Sequence, residues 1–428
     1  MKTSRFLLYL LVVGAVLLAS CKREMFDADA YKELIQEMSP IDSIDANHTW
    51  ELTTSHATVV TANLDMVASY EVSAIRILSG NPFEQGNVEI LAESEAVKDT
   101  TLTLFYYAPA FQSQFYAAVV TREGKHYLKK FDVSQSEVTF ANDVIVPGEE
   151  MNKLVYQTYT YCFEENYPEP SDDWDFNDLV LRVQKLPAKG ENQIRLAVTL
   201  AAVGGLKQMA AAIHLLDYQY DDVDSVYIEE GRTFDGAFNQ QRTFITSSDL
   251  LLRGIHGEAV LNLFEDAHYA MSPRLRNDGM GVIRMYYNTM TQVTYNVSAQ
   301  LRPKTLTYVV QLKNPRMLHN FTLENIDPFV MEDFNSGKWE IHTFNHKADM
   351  IFNDFGDNET AKSNNMTWSL KIPMATFRWP IEGQNMGLYK DGVLTGAYME
   401  EGHSYGQWVV RHTASLDWFL YPMTGMVY

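Results

Sequence analysis

The chain is poor in cysteine and in positive charge. Its 428 residues include only 2 Cys, so no framework of several disulfides can hold the fold together. The 34 Lys and Arg are outnumbered by 55 Asp and Glu, and the formal net charge is −21. Because nucleic acids and anionic membrane surfaces are bound by basic protein surfaces, this charge argues against both as electrostatic partners. It favours cations instead.

The chain also lacks an apolar run long enough to span a membrane. The longest candidate, residues 6–18, falls short of the roughly 20 apolar residues that a transmembrane helix needs. Lys2 and Arg5 precede it, which is the pattern of an export signal. We therefore predict a signal peptide over residues 1–20 and an exported protein.

The end of this signal predicts a lipid anchor. Leu18-Ala19-Ser20-Cys21 matches the bacterial lipobox, in which small residues precede a cysteine that receives a diacylglyceryl group. We predict lipidation of Cys21, a linker over residues 21–48 and attachment to the outer membrane. Whether the protein lies on the periplasmic or the surface side stays open. A lipid on Cys21 would leave Cys162 without an intramolecular partner, which predicts a buried apolar role for that thiol.

Length and strand pattern predict an all-β chain with two β-sandwich-like domains. A chain of 428 residues exceeds one ordinary domain, and short apolar segments alternate with turn residues from Trp50 onward. The predicted strands of the first region are 58–60, 70–78, 88–91, 101–107, 114–120 and 127–133. The clearest strands of the second region are 153–162, 179–184, 193–202, 295–300, 306–312 and 368–372. A turn at Val146-Pro147-Gly148 divides an N-terminal domain over 49–148 from a C-terminal domain over 149–428.

One segment of the second region fits two secondary structures. Residues 206–216 have helical propensity, yet they follow the turn Gly204-Gly205 and precede a strand-like Tyr-Gln-Tyr. We favour a strand from Ala211 onward.

The densest chemical signal is an acidic loop ahead of the predicted strand at 179–184. Its candidate ligands are oxygen-bearing side chains, namely Glu164, Glu165, Asp173, Asp175, Asn177 and Asp178. Trp174 and Phe176 alternate with the acidic residues, so the oxygens could converge on one side while the rings anchor the other. Ca²⁺ takes six to eight oxygen ligands and would offset the repulsion among the carboxylates. The pattern does not fit an EF-hand, and a solvated acidic turn without metal is the alternative.

Several segments together resemble the LruC domain family, also called DUF4842. They are Phe163-Glu164-Glu165, Asp173-Trp174-Asp175-Phe176-Asn177-Asp178-Leu179-Val180, Leu370-Lys371-Ile372-Pro373, Phe377-Arg378-Trp379-Pro380-Ile381-Glu382 and Trp408. The resemblance covers about residue 155 to the C-terminus. It implies a lipoprotein or other exported protein of a diderm bacterium, including Bacteroidota, without an established biochemical activity. By analogy with other exported β domains, it supports a metal at Asp173, Asp175, Asn177 and Asp178.

The sequence contains no assembled catalytic motif. It lacks a G-x-S-x-G elbow, an H-E-x-x-H helix and an S-x-x-K pair tied to partner motifs. Acidic pairs such as Glu400-Glu401 leave a cryptic glycoside hydrolase open, although such pairs are commonly solvated. His342 and His346 lie near Asp349, but on an extended strand a spacing of four is too long for one zinc ion, so we interpret both as surface histidines.

These patterns predict a cell-envelope lipoprotein with a calcium-stabilised β domain that acts in surface binding or assembly, with no catalysis. Carbohydrate binding or a hidden glycosidase is the alternative. The candidates for stacking on a glycan are four tryptophans, Trp339, Trp368, Trp379 and Trp408, which would need exposed rings. A surface protein is the other possible partner, and the membrane would be contacted through the lipid anchor.

Overall fold

A computed structural model describes residue 41 and residues 43–148, 150–165, 173–190, 192–235, 244, 251–272, 276–277, 282–314, 321–334, 337–343 and 366–428. The predicted signal peptide, Cys21 and the linker up to residue 40 lie outside the described residues, as do His346 and Asp349. Within the described ranges, no helix is long and apolar enough to cross a membrane.

The N-terminal lobe is a sandwich of two sheets. Its strands are β1 (Thr53–Thr61), β2 (Val72–Leu78), β3 (Glu89–Glu95), β4 (Thr101–Pro109), β5 (Gln114–Thr121), β6 (His126–Asp132), β7 (Glu137–Thr139) and β8 (Val155–Tyr156). One sheet has the order β4-β1-β7 and the other the order β6-β5-β2-β3-β8. Alternating apolar side chains such as Ile75 and Ile77 of β2 meet Leu104 and Tyr106 of β4 in the core between the sheets.

The C-terminal lobe contains the remaining elements. Its strands are β9 (Thr158–Phe163), β10 (Leu179–Leu186), β11 (Gln193–Ala202), β12 (Met209–Gln219), β13 (Val223–Ile228), β14 (Leu252–Ile255), β15 (Glu258–Phe264), β16 (Arg276–Asn277), β17 (Val282–Ile283), β18 (Tyr286–Tyr287), β19 (Ser298–Ala299), β20 (Lys304–Leu312), β21 (Ile326–Phe334), β22 (Gly337–Ile341), β23 (Ser369–Ile372), β24 (Leu388–Lys390), β25 (Val393–Thr395), β26 (Met399–Glu400) and β27 (His403–Ser404). Its helices are α1 (Ala267–Met271) and α2 (Tyr405–Val410).

Two large sheets of the C-terminal lobe enclose its main core. Their orders are β13-β20-β11-β10-β9-β23 and β14-β15-β12-β21-β22. Val198 and Val310 of the first sheet share one buried cluster with Ile213 and Val330 of the second. The predicted all-β class with sandwich-like domains is confirmed.

Two local predictions have opposite outcomes. The segment 206–216 forms most of β12, which pairs with β15 on one side and β21 on the other. Hydrogen bonding to two neighbours outweighs its helical propensity, so the favoured strand is confirmed. The predicted strand at 295–300 is largely wrong, because only Ser298–Ala299 is a strand and Tyr295 and Val297 are exposed loop residues.

The end of the predicted linker and the first residues of the predicted N-terminal domain pack on the C-terminal lobe. Ile41, Trp50 and Leu52 belong to the core cluster of that lobe, and His48 Nε2 lies 3.1 Å from the backbone oxygen of Trp408. The chain therefore contributes to the C-terminal lobe before it forms the N-terminal lobe. After the predicted boundary at 146–148, β8 still pairs with β3 of the first lobe.

Candidate metal centre

The acidic residues flank two neighbouring strands of the six-stranded sheet. Glu164 and Glu165 directly follow β9, and Asp178 directly precedes β10. β9 and β10 are antiparallel, with Phe163 opposite Leu179. Since the end of β9 lies beside the start of β10, the residues that follow β9 and those that precede β10 come together at the same end of this strand pair.

Three of the six predicted ligands converge on one point. One carboxylate oxygen each from Glu164, Asp173 and Asp175 lie within 4.8 Å of one another. Two oxygens bound to the same Ca²⁺ at 2.3–2.6 Å are at most about 5 Å apart, so this spacing fits a shared calcium ion. Glu164 and Asp175 are buried while Asp173 is exposed, which leaves the cluster open to solvent on one side.

The loop reaches this geometry through an unusual backbone. Trp174 has φ of 56° and Phe176 has φ of 52°, the left-handed region that bulky residues rarely adopt. Their rings compensate by packing, with Trp174 4.8 Å from the ring of Trp368 and Phe176 6.2 Å from the ring of Tyr405. The predicted alternation of acidic and anchoring aromatic residues is therefore present, but through left-handed turns rather than an extended strand.

Burial and mutual repulsion raise the free energy of the ionised carboxylates. Burial raises the pKa of Asp175 well above its usual range, and the charges of Asp173 and Glu382 raise it further. Burial likewise raises the pKa of Asp178, to which the charges of Glu165 and Asp175 add. A divalent cation beside Asp175 would lower this cost because it stabilises the ionised form.

The other predicted ligands make hydrogen bonds that fix the loop. Asp178 Oδ2 accepts from the Glu165 backbone N–H at 2.6 Å. Glu165 Oε2 accepts from the Lys207 backbone N–H at 3.0 Å. The Asn177 side-chain amide donates to the Pro380 carbonyl oxygen at 3.2 Å. These three residues hold the turn that presents Asp173 and Asp175.

Sequence reasoning missed the contribution of the C-terminal segment to this site. The Gly383 backbone N–H donates to Asp175 Oδ2 at 3.1 Å, and Glu382 is close enough to influence its pKa. The segment ending at Glu382 was among those that resemble the LruC family, but nothing in it indicates a contact with residues some 200 positions earlier.

Gly204 closes the other side of the loop. A Cβ atom at this position would lie 1.8 Å from Asn177 Oδ1 and 2.8 Å from the Asn177 carbonyl oxygen. The Gly204 backbone N–H donates to the carbonyl oxygens of Asn177 and Asp178. Only glycine allows this close approach, so the predicted Gly204-Gly205 turn also supports the acidic loop.

The interpretation of His342 as a surface histidine is wrong. Its side chain is 3% exposed, and its two ring nitrogens contact Asp327 at 2.5 Å and Glu340 at 3.1 Å. Charge neutralisation within the sheet accounts for its position, because Asp327 lies on β21 and Glu340 on the adjacent β22.

The tryptophans considered for glycan stacking are mostly core residues. Trp368, Trp379 and Trp408 are buried, and Trp339 is partly buried. Cys162 is also fully buried, as predicted, and burial raises the pKa of its thiol.

The comparisons with known proteins agree with the predicted resemblance. Residues 192–391 match the family model described as "Domain of unknown function (DUF4842)". These residues are similar to that family. The match begins after the acidic loop in the sequence, yet it includes Glu382 and Gly383, which the fold returns to Asp175.

A solved structure shares the fold of nearly the whole chain. It is the crystal structure of a "Putative lipoprotein" from Bacteroides ovatus, with a TM-score of 0.52 and 16% sequence identity. The alignment covers 84% of this chain and 99% of that chain, so both lobes and their order belong to a known architecture. No curated protein sequence matches the chain.

Proposed function

We propose that this protein is a cell-envelope lipoprotein whose DUF4842-containing lobe binds calcium and acts in surface binding or assembly rather than catalysis. The convergence of Glu164, Asp173 and Asp175 within 4.8 Å carries the calcium assignment. The lipobox at Cys21 and the description of the Bacteroides ovatus protein support the lipid anchor.

The donor set selects the class of cation. All three converging groups are carboxylates, and hard oxygen ligands suit Ca²⁺ better than metals that prefer sulfur or imidazole. Two of the carboxylates are buried, so ionising them without a cation destabilises the folded state. Calcium would replace that destabilisation with a crosslink between the end of β9, the loop before β10 and, through Asp175, the segment at Gly383.

Calcium is expected to raise the melting temperature of the chain. At free calcium 100-fold above the dissociation constant, the gain is about 2.7 kcal/mol, or a shift of about 5–10 °C for a lobe of this size. Asp175→Asn is expected to remove the shift, because it removes the negative charge of a buried ligand without changing the size of the side chain. Melting of the soluble chain in millimolar calcium and in chelator measures both effects.

Asp224→Asn is the matched control for this experiment. Asp224 is an exposed carboxylate on β13, outside the cluster, so its replacement should leave the calcium shift intact. Equal melting temperatures of the unmodified chain in calcium and in chelator would refute the calcium assignment.

The lipid anchor has its own test. We expect Cys21→Ser to abolish labelling with a radioactive fatty acid in a diderm host and to move the protein from the membrane fraction to the soluble fraction. Cys162→Ala should keep both the label and the membrane association, because that thiol is buried in the core. Membrane association of the Cys21 variant without label would contradict the anchor.

The choice of binding over catalysis is tested with substrates and ligands. A panel of polysaccharides should show no turnover by the full chain. Release of sugars at a rate that depends on a specific carboxylate pair would establish a glycosidase instead.

A further inference from the structure

A cavity of about 900 Å³ lies between the two lobes, away from the acidic loop. Its N-terminal wall includes residues 90–95 of β3 and 102–105 of β4, together with Ser73, Ala74 and Arg76 of β2 and Val120 and Thr121 of β5. Residues 185–188 and 193–195 of the C-terminal lobe form much of the opposite wall. Its volume falls in the range of ligand sites, which often lie where domains meet.

The cavity lies against one face of the sheet that contains β5, β2 and β3, and it also reaches the edges of β3 and β4. Successive side chains of a strand point to opposite faces of the sheet, so a face would contribute only alternate residues. Here six successive residues of β3 and four successive residues of β4 line the space. Both strands therefore turn a backbone edge towards it.

Backbone hydrogen bonding shows which groups of β3 face the cavity. The Ala96 backbone N–H donates to the Ser73 carbonyl oxygen, and Ser94 and Ala92 stand opposite residues of β2 in the same register. In an antiparallel pair, alternate residues direct their N–H and C=O groups to the same neighbour. The backbone groups of Glu93 and Glu95 consequently point away from β2, towards the cavity.

The chain already adds a strand to this edge of β3. In β8, Val155 and Tyr156 pair in parallel with Glu89 and Ile90. Residues 91–95 have no partner on this side among the described strands, because the chain has turned into β9. Five residues of strand offer an edge about 16 Å long at roughly 3.3 Å per residue.

We propose that an extended polypeptide segment of a partner protein binds in this cavity as an added strand beside residues 91–95 of β3. The lining carries four basic residues and two acidic ones, namely Arg76, Arg122, Lys185 and Arg195 against Glu93 and Glu95, and Arg76 is paired to Glu93. Main-chain hydrogen bonds to the edge of β3 are the principal source of affinity, as in other strand-addition complexes, and the excess of basic residues favours a segment that carries acidic side chains. The proposal rests on the binding role above and names the chemistry of its partner.

Two double substitutions distinguish the contribution of the backbone to peptide binding from that of the side chains. Glu93→Pro with Glu95→Pro removes two N–H donors that face the cavity and leaves the β2 ladder intact, since proline is tolerated on strand edges. Glu93→Ala with Glu95→Ala removes the same side chains but keeps both donors. The probes are heptapeptides selected from a phage-displayed random library against the full chain, then synthesised with a fluorescent label.

We expect the selected peptides to bind the unmodified chain and the double-alanine variant, and to bind the double-proline variant at least tenfold more weakly. Hydrogen exchange at the Glu93 and Glu95 amides should slow when peptide is added. N-methylation of alternate peptide residues should abolish binding, which tests the same hydrogen bonds without altering the protein.

Three results would overturn the strand-addition site. They are selection of no peptide, equal peptide affinity for the proline and alanine variants, and binding of a glycan from an array that protects this cavity instead. Peptide binding elsewhere on the chain would also refute the strand-addition site, but it would be consistent with the general binding role. The calcium assignment is independent, because none of these variants touches the acidic loop.

Discussion

Replacing Trp50 with alanine is expected to lower the free energy of unfolding by about 3–5 kcal/mol, the usual cost of deleting a buried large aromatic side chain. Trp50 is 4% exposed, and its ring lies 5.4 Å from that of Trp408 and 4.2 Å from that of His48. Its removal would open a cavity where the segment before β1 closes the C-terminal core. Urea denaturation followed by tryptophan fluorescence and circular dichroism measures the change.

Tyr70→Ala is the control for this prediction. Tyr70 is 71% exposed, so its loss should change the unfolding free energy by no more than about 0.5 kcal/mol. If Trp50→Ala changed the unfolding free energy as little as Tyr70→Ala, the segment before β1 would not contribute to the stability of the C-terminal core. A chain that begins at residue 149 should likewise be less stable than the full chain, because it lacks Ile41, Trp50 and Leu52.

The second large effect is expected at His342. His342→Ala should destabilise the chain by about 3–5 kcal/mol, because it leaves buried carboxylates without their cationic partner. Asp327 and Glu340 are both fully buried at the side chain, and Phe329 stacks on the imidazole at 4.4 Å. The substitution therefore removes packing as well as charge.

The protonation of His342 gives this contribution a defined pH dependence. Burial alone would lower its pKa, but the charge and hydrogen bond of Asp327, followed by those of Glu340, raise it to about 9. A histidine in the unfolded chain has a pKa near 6.5. The stabilisation is thus complete below about pH 6.5, declines as pH rises and is lost above about pH 9. Comparing the unfolding free energy of the unmodified chain with that of the His342→Ala variant at several pH values measures this decline.

His256→Asn is the matched control. His256 is exposed with φ of 53°, a conformation that asparagine also tolerates, so this change should alter neither stability nor its pH dependence. If the difference between the unmodified chain and His342→Ala did not shrink between pH 6.5 and 9, the imidazole would be neutral in the folded protein.

The strand prediction succeeded where the signal is local. Three of the six predicted strands of the first region, 58–60, 101–107 and 114–120, lie within observed strands, and the other three extend beyond the observed strands by one or two residues. Their alternating apolar residues face the sandwich core, a two-residue period that needs no knowledge of partners. The segment at 295–300 failed because Val293, Tyr295 and Val297 alternate in the sequence yet stand on an exposed loop. Periodicity alone does not reveal whether a second surface covers an apolar face.

The candidate metal centre was partly predictable for the same reason. Asp173 and Asp175 are two residues apart, so their proximity is a property of the loop, whereas their approach to Glu164 depends on the pairing of β9 with β10. The burial of His342 could not be predicted either, because Asp327 becomes its neighbour only when β21 and β22 pair, although Glu340 is two residues away in the sequence.

The sequence by itself determined the all-β class, the positions of most strands, the acidic loop and the absence of a disulfide framework, since each depends on composition or on short-range periodicity. The export signal and the lipid on Cys21 also derive from local sequence and stay predictions. Only the tertiary structure decided that Ile41, Trp50 and Leu52 complete the C-terminal core, that Gly383 meets Asp175 and that an edge of β3 faces the second lobe. These contacts join segments far apart in the chain, and strand register, which brings them together, is set by packing of the whole sheet.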